Sequence, residues 1–114
     1  MASKPPPVPE GDVAVDSRPT VKRPRRYRVV FHNDDYTTME FVIRVLMDVF
    51  HKDEAEATRL MLEVHHVGAA AVGVYTRDVA ETKAEQAMAH AKREGHPLRC
   101  TAEPDADDSP EERP

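Results

Sequence analysis

The apolar positions in the middle of the chain first follow a strand pattern and then a helical one. The segment from Tyr27 to Phe31 is mostly β-branched and aromatic, which is typical of a strand. From Thr38 the apolar residues recur at helical spacing and predict a first helix that ends near His51. Its apolar positions are Met39, Val42, Ile43, Leu46, Val49 and Phe50. Thr37 and Glu40 have the spacing of a capping box, which predicts the start of this helix.

Four more elements are predicted after the first helix. A second helix is capped by Asp53 and ends at Gly68, a residue suited to the left-handed conformation. Its apolar stripe consists of Ala57, Leu60, Met61 and Val64. A strand over Ala69–Tyr75, a helix over Arg77–Arg93 capped by Thr76, and a strand over Leu98–Ala102 follow. The third helix has an apolar face of Val79, Ala80, Ala84, Ala87, Met88 and Ala91, and it is stopped by Gly95.

The predicted order β-α-α-β-α-β indicates an α+β fold, with a three-stranded antiparallel sheet packed against three helices. We expect a single core domain over residues 27–103. Residues 1–26 contain six prolines and no aromatic residue, and the end of the chain carries six acids and one base from Glu103 onward. Such segments bury too little apolar surface to offset their ordering entropy, so we expect disordered tails at 1–26 and 104–114.

Charge and cysteine content exclude several classes of protein. The formal net charge of −5 argues against general nucleic-acid binding, because phosphate backbones favour basic surfaces. The basic cluster from Lys22 to Arg26 is interpreted as a solvated segment. A single cysteine, Cys100, excludes an internal disulfide and suits a reducing compartment. No signal-peptide or membrane-spanning pattern is present, so we expect a soluble, cytoplasmic protein without membrane association. Nothing in the sequence requires more than a monomer.

Polar side chains with hydrogen-bond acceptors follow the first predicted strand. Asn33, Asp34 and Asp35 lie where that strand turns into the first helix, and such residues favour turns. We expect apolar residues of the first two helices, with His65 beside them, to lie near this turn; they are Met39, Val42, Met61 and Val64. Periodicity alone favours core packing for these residues. The nearby polar groups favour a small-ligand pocket instead, with thioethers that adapt to varied side chains.

Catalytic and metal-binding interpretations are poorly supported by the sequence. His65 and His66 are adjacent and point about 100° apart on a helix, so they cannot easily share a metal ion. The predicted domain contains no serine, and Cys100 has no recognisable activating motif. We therefore expect a binding protein that has no cofactor and no metal.

Five motifs in the expected order resemble the ClpS family of proteolytic adaptors. The resemblance covers about Tyr27 to Glu103, and the fold of that family has the order predicted above. The motifs are Asn33 to Val42 (NDDYTTMEFV), Leu60 to His65 (LMLEVH) with Gly68, Gly73 to Thr76 (GVYT), Val79 to Lys83 (VAETK) and His96 to Cys100 (HPLRC). The sequence departs from the family pattern at Thr38, where many members carry proline.

The resemblance implies an N-end rule adaptor, which is not an enzyme. Such a protein binds substrates whose first residue is Leu, Phe, Tyr or Trp, and delivers them to a ClpA-type or ClpC-type AAA+ unfoldase coupled to ClpP in the bacterial cytoplasm. The residues that match the family's binding site for the α-amino group are Asn33, Asp34 and His65. Those that match its side-chain pocket are Thr37, Met39, Val42, Met61, Val64 and Leu98, with Asp35 at the rim. Met39 matches a gate against β-branched first residues.

The same resemblance implies two further features. The unfoldase contact corresponds to the region of Asp78, Glu81 and Lys83. The segment before Tyr27 is expected to serve delivery and not peptide binding.

Two other function classes remain open at this stage. A protein-interaction domain of the ribosomal-stalk type has the same fold without an amino-acid pocket, but it gives no reason for Asn33, Asp34, Met39 and His65 to occur together. A metal-dependent enzyme is the weakest alternative.

Overall fold

The computed structural model describes residues 23–106 of the chain. Within this range the element order is β-α-α-β-α-β, which confirms the predicted α+β fold. The elements are β1 (Arg26–His32), α1 (Met39–Asp48), α2 (Glu54–Val67), β2 (Ala69–Thr76), α3 (Arg77–Arg93) and β3 (Arg99–Pro104). Strand β1 begins one residue before the predicted domain of residues 27–103, and β3 ends one residue after it. The predicted tails at 1–26 and 104–114 lie mostly outside the described residues.

Strand β1 is the centre of the antiparallel sheet, whose strand order among the described residues is β2-β1-β3. Phe31 lies opposite Ala70 on one side and Cys100 on the other. The pairing with β2 shifts between Val29 and Val30, which is a bulge in the sheet. The turn at Asn33 directly follows the central strand. Since that strand is hydrogen-bonded to a neighbour on each side, the start of the turn is held in place by the sheet.

The core lies between one face of the sheet and the helices. Phe31 and Phe41 are almost completely buried, and burying such a side chain contributes about 1.5–3 kcal/mol. The rings of Phe31 and Phe50 meet edge to face at 5.4 Å. Helix α3 buries Ala80, Ala84, Ala87 and Ala91, whose small side chains let the helix approach the sheet. Val79, predicted on the same face, is 42% exposed, so that assignment is wrong.

The predicted start and end of α1 both need correction. The N-cap is Thr38, whose hydroxyl accepts a hydrogen bond from the Phe41 backbone N–H at 3.1 Å. The Thr37 hydroxyl instead donates to Asp34, so the predicted capping box is wrong. The helix ends at Asp48 and not near His51, which has a left-handed φ of 58°.

Helix α2 begins and ends as predicted. The Asp53 carboxylate accepts from the Glu56 N–H at 2.8 Å, and Gly68 adopts a φ of 105°. The carbonyl of Gly68 accepts a hydrogen bond from the Asn33 N–H at 2.9 Å. This bond ties the end of α2 to the turn after β1.

The predicted bounds of α3 are confirmed. Thr76 is its N-cap residue but makes no side-chain capping bond, and Gly95 follows the helix with a φ of 82°. The last strand begins at Arg99, one residue later than predicted, and Leu98 lies before it.

Candidate functional site

The Asp34 carboxylate organises the turn between β1 and α1. One of its oxygens accepts from the backbone N–H groups of Tyr36 and Thr37, at 2.8 and 2.7 Å. The other oxygen accepts from the Thr37 hydroxyl at 2.8 Å. Since a carboxylate has about four acceptor positions, roughly one remains for a ligand. The hydrogen bonds hold that acceptor in a fixed place.

The same contacts keep Asp34 ionised. Its partial burial would raise the pKa, but the hydrogen bonds from the Thr37 side chain and from the backbone of Thr37 and Tyr36 outweigh that effect. The charge of the nearby His96 acts in the same direction, and the net result is a pKa below the ordinary value. The turn therefore presents a permanent anion at neutral pH.

Helix α2 brings a histidine to the same turn. The Asn33–Gly68 hydrogen bond and the pairing of His32 with Ala69 place the last turns of α2 beside residues 33–39. His65 is exposed there, with its ring centroid 5.1 Å from that of His66. Only His65 of these two lines the cavity described next.

A cavity of about 350 Å³ lies between this turn and the helices α1 and α2. Its apolar lining includes Val42, Met61 and Val64, which are buried, while Met39 is 45% exposed. The polar part of its lining comes from the turn and from His65. The full lining is Asn33, Asp34, Asp35, Tyr36, Thr37, Thr38, Met39, Val42, Met61, Val64 and His65. The volume is in the range of small-ligand sites.

The cavity brings together nearly all of the binding residues suggested by the sequence. The exception is Leu98, which is 5% exposed, belongs to the hydrophobic core and does not line the cavity. Tyr36 and Thr38 line it although the sequence interpretation gave neither of them a binding role. The side chain of Tyr36 is 78% exposed. Its position within the NDDYTT motif is the sequence feature that could have predicted a place in the cavity lining.

The residues suggested for the unfoldase contact lie elsewhere. Asp78 and Lys83 line a separate groove of about 270 Å³ on α3. The Lys83 ammonium donates to the Val49 carbonyl at 2.9 Å and lies 5.5 Å from the centroid of the Tyr75 ring. Glu81 pairs with Arg77 at 3.2 Å. Lys83 and Glu81 thus already have partners within the fold.

The cysteine thiol and the possible metal ligands outside the cavity do not form a reactive site in the described residues. Burial raises the pKa of Cys100 to about 12, so its thiol is protonated at neutral pH and is a poor nucleophile. In residues 23–106 no group of three or more His, Cys, Asp or Glu side chains is arranged to hold a metal ion. None of the helices in that range is long and apolar enough to cross a membrane. In the part of the chain that the structure describes, the Thr37 hydroxyl of the cavity lining donates to Asp34 and the Thr38 hydroxyl accepts from the Phe41 N–H, and neither makes a hydrogen bond with His65.

Comparison with known proteins gives consistent matches. A family model described as "ATP-dependent Clp protease adaptor protein ClpS" matches residues 22–101. A ClpS adapter protein of Deinococcus radiodurans is 54% identical over 102 residues, which covers 90% of each chain. One of Nitratidesulfovibrio vulgaris is 58% identical over 83 residues, or 73% of this chain and 83% of its own. The structure of Agrobacterium tumefaciens ClpS2 bound to L-phenylalaninamide has a TM-score of 0.71 at 47% identity, covering 73% of this chain and 100% of its own.

Proposed function

The chain belongs to the ClpS family of ATP-dependent Clp protease adaptor proteins, and we propose that it selects substrates by their first residue. In this proposal the cavity binds the free α-amino group of a protein together with a large hydrophobic side chain, Leu, Phe, Tyr or Trp. The adaptor then delivers that protein to an unfoldase. It catalyses no reaction itself.

The polar part of the cavity suits an ammonium group. A free α-amino group has a pKa of about 7.7–8.0, so near neutral pH it is largely charged and has three donors. We propose that the Asp34 carboxylate, the Asn33 amide oxygen and a neutral His65 ring nitrogen accept from it. Hydrogen bonds to a charged group contribute about 1.5–3 kcal/mol each, so an acetylated terminus is expected to bind poorly.

The apolar part suits a bulky side chain. Met39, Met61, Val42 and Val64 offer flexible and branched apolar groups of the kind that enclose Leu or an aromatic ring. Met39 is much more exposed than the other three. We propose that its side chain restricts the entrance, so that first residues branched at Cβ are rejected.

A single observation carries the proposal: a carboxylate acceptor held in place by three hydrogen bonds and an apolar volume occur in one cavity. The ligand of Agrobacterium tumefaciens ClpS2, L-phenylalaninamide, has the corresponding chemistry. It combines a free α-amino group with a benzyl side chain and carries an amide in place of a carboxylate, as does the first residue of a peptide.

Delivery is the second half of the proposed function. We propose that a monomer acts in the bacterial cytoplasm with a ClpA-type or ClpC-type AAA+ unfoldase coupled to ClpP. Asp78 is the strongest candidate for the unfoldase contact, since Glu81 and Lys83 have partners within the fold. The segment before Tyr27 is proposed to serve delivery, so a chain that begins at Tyr27 should retain peptide affinity.

The test is a titration of the full chain with peptides that differ only at the first residue. Leu and Phe peptides should bind, whereas Ile, Lys and N-acetyl-Leu versions should bind much more weakly. His65→Ala should weaken Leu-peptide binding by about tenfold. The matched control is His66→Ala, which changes the adjacent histidine outside the cavity. If neither the Leu nor the Phe peptide binds, the proposal fails and the stalk-type interaction domain becomes the better interpretation.

A further inference from the structure

The two ends of the described domain lie side by side at one end of the sheet. Strand β1 begins at Arg26 and β3 ends at Pro104, and Tyr27 lies opposite Pro104. One residue further along, the Asp105 backbone N–H donates to the Arg26 carbonyl at 2.9 Å. The chain before β1 and the chain after β3 therefore leave the sheet from neighbouring positions.

Two arginine ion pairs join these strands, each with the base on the first strand and the acid on the last strand or just after it. The Arg28 guanidinium lies 3.6 Å from the Glu103 carboxylate, and that of Arg26 lies 3.8 Å from the Asp105 carboxylate. Asp105 is 6% exposed and is the only charged residue that is buried among residues 23–106. Because a buried carboxylate is costly unless it is paired, the Arg26–Asp105 pair helps to hold the two chain ends together.

The sequence continues this order of signs beyond the Arg26–Asp105 pair. Four of the five positions in residues 22–26, here called the basic segment, are Lys or Arg, and none is acidic. Four of the six positions in residues 107–112, here called the acidic segment, are Asp or Glu, and none is basic. The acidic segment lies outside the described residues, so its partner is inferred from its charge and from the place where β3 ends.

The two segments are close enough along the chain to meet. The acidic segment begins two residues after Asp105, and one extended residue spans about 3.3–3.6 Å. Groups joined by a short linker have effective concentrations in the millimolar range, so at micromolar protein the acidic segment of the same molecule is favoured over that of another. Pro24 lacks the backbone N–H that a longer ladder would need, so the contact must come from side-chain charges.

One acid of the described domain also lies near the basic segment. Asp78 lines a groove of about 550 Å³ together with Pro24 and Arg25. It is in the first turn of α3, where a carboxylate interacts favourably with the helix dipole. As a carboxylate beside the basic segment that is not part of the acidic segment, it provides a control.

We propose that the acidic segment binds the basic segment of the same molecule, so that the two chain ends form a charged clasp beside the Arg26–Asp105 pair. The positive charge before β1 is thereby compensated within the molecule instead of attracting an anionic partner such as a nucleic acid. The clasp is independent of the substrate cavity, because it lies at the start of β1 and the cavity lies beyond the end of that strand.

The experiment measures the contact by paramagnetic broadening of NMR signals in the full chain. A nitroxide is attached at position 109 through Ser109→Cys, and the amide signals of Arg23 and Arg25 are followed. Cys100 is buried and its thiol is protonated at neutral pH, so the tag reacts selectively at position 109. The strand ends are adjacent in any case, so a tagged reference chain without the acidic charges measures the broadening due to proximity alone. Its substitutions are Asp107→Asn, Asp108→Asn, Glu111→Gln and Glu112→Gln.

We expect the tag to broaden the Arg23 and Arg25 signals more in the charged chain than in the reference chain. Removing the four acids should lower the population of the contact about threefold or more, as for several exposed ion pairs. Salt at about 1 M, where the screening length is about 3 Å, should reduce the broadening in the charged chain to the level of the reference.

Two further variants connect the broadening to the two segments. Asp78→Asn removes one negative charge beside the basic segment and should leave the broadening unchanged. Arg23→Asp should weaken it, and adding Asp108→Arg to Arg23→Asp should restore it, because the strand register brings these two positions opposite each other when it is continued.

Equal broadening in the charged and reference chains would overturn the proposal, as would broadening that salt does not reduce. A mixture of tagged chains without isotope label and untagged chains with it tests for contact between molecules. Broadening in that mixture would identify a second copy as the occupant and overturn the intramolecular contact. Substrate binding does not enter the measurement, so the result is separate from the proposed function.

Discussion

The cavity beside the turn and the groove on α3 both contain charged residues, but these residues have different partners. Asp34 in the cavity uses three hydrogen bonds to hold its own turn and retains an acceptor position beside an apolar volume. Lys83 on α3 donates to the Val49 carbonyl and lies over two aromatic rings. A charged residue in a family motif can therefore bind a ligand or stabilise the fold itself. Its contacts distinguish the two roles.

Removing the Asp34 charge should have the largest effect on the cavity. Asp34→Asn retains an oxygen that accepts from Tyr36 and Thr37 but loses the charge that binds ammonium. We expect about a 10- to 100-fold loss of Leu-peptide affinity, with a smaller loss of thermal stability because the second carboxylate oxygen no longer accepts from the Thr37 hydroxyl. Fluorescence polarisation and a melting curve measure both quantities.

Asp35→Asn is the control for Asp34→Asn, since it removes an equal charge at the rim of the same cavity. Equal losses for the two variants would show that general electrostatic attraction, and not a hydrogen bond from Asp34, binds the terminus.

Shortening Met39 should change the selectivity of the cavity. Met39→Ala enlarges the entrance, so Ile and Val peptides should gain about tenfold in affinity relative to Leu. Met47→Ala is the matched control, because Met47 is a similarly exposed methionine on the same helix that does not line the cavity. A peptide panel that shows no gain for Ile with Met39→Ala removes the gate from the mechanism.

The α3 groove should respond to mutation through stability. Lys83→Met keeps the aliphatic stem but loses the bond to the Val49 carbonyl, so we expect the free energy of unfolding to fall by about 1 kcal/mol. Leu-peptide affinity should stay unchanged. Urea unfolding measures the loss, with Glu81→Gln as a comparison that removes only an exposed ion pair. An unaltered unfolding free energy for Lys83→Met would mean that its ammonium is available to a partner after all.

Lowering the pH should have the smallest of these effects, and it acts on the stability of the fold. Because the pKa of Asp34 in the folded chain is below its ordinary value of 3.8, the carboxylate stabilises the fold above that pH. This contribution is lost as the pH falls below 3.8 and through the lower folded-state pKa. Wild type should therefore lose more stability than Asp34→Asn between pH 5 and about pH 2. Parallel acid-unfolding profiles for the two chains would contradict this assignment.

Local patterns in the sequence determined most of the architecture. The bounds of α3, the Asp53 cap and the left-handed Gly68 follow from helix periodicity and end residues, which act over a few neighbouring positions. The NDDYTTMEFV motif likewise identified most of the cavity lining. For such features the chemistry of adjacent residues is sufficient.

The tertiary structure decided where helix α1 begins and where it ends. Two threonines could cap α1, and Thr38 does so because the Asp34 carboxylate binds Thr37. Val49 and Phe50 continue the helical apolar pattern but are buried after the helix has ended. There the ring of Phe50 packs edge to face against Phe31, a contact between distant segments.

The sequence by itself also identified Asp34, Met39 and His65 as members of one candidate site, because they occur in motifs with fixed spacing. Only the tertiary structure decided that Leu98 belongs to the core and that Lys83 binds the Val49 carbonyl. Each of these facts depends on contacts between segments far apart in the chain. Residue spacing does not specify such contacts until the helices pack on the sheet.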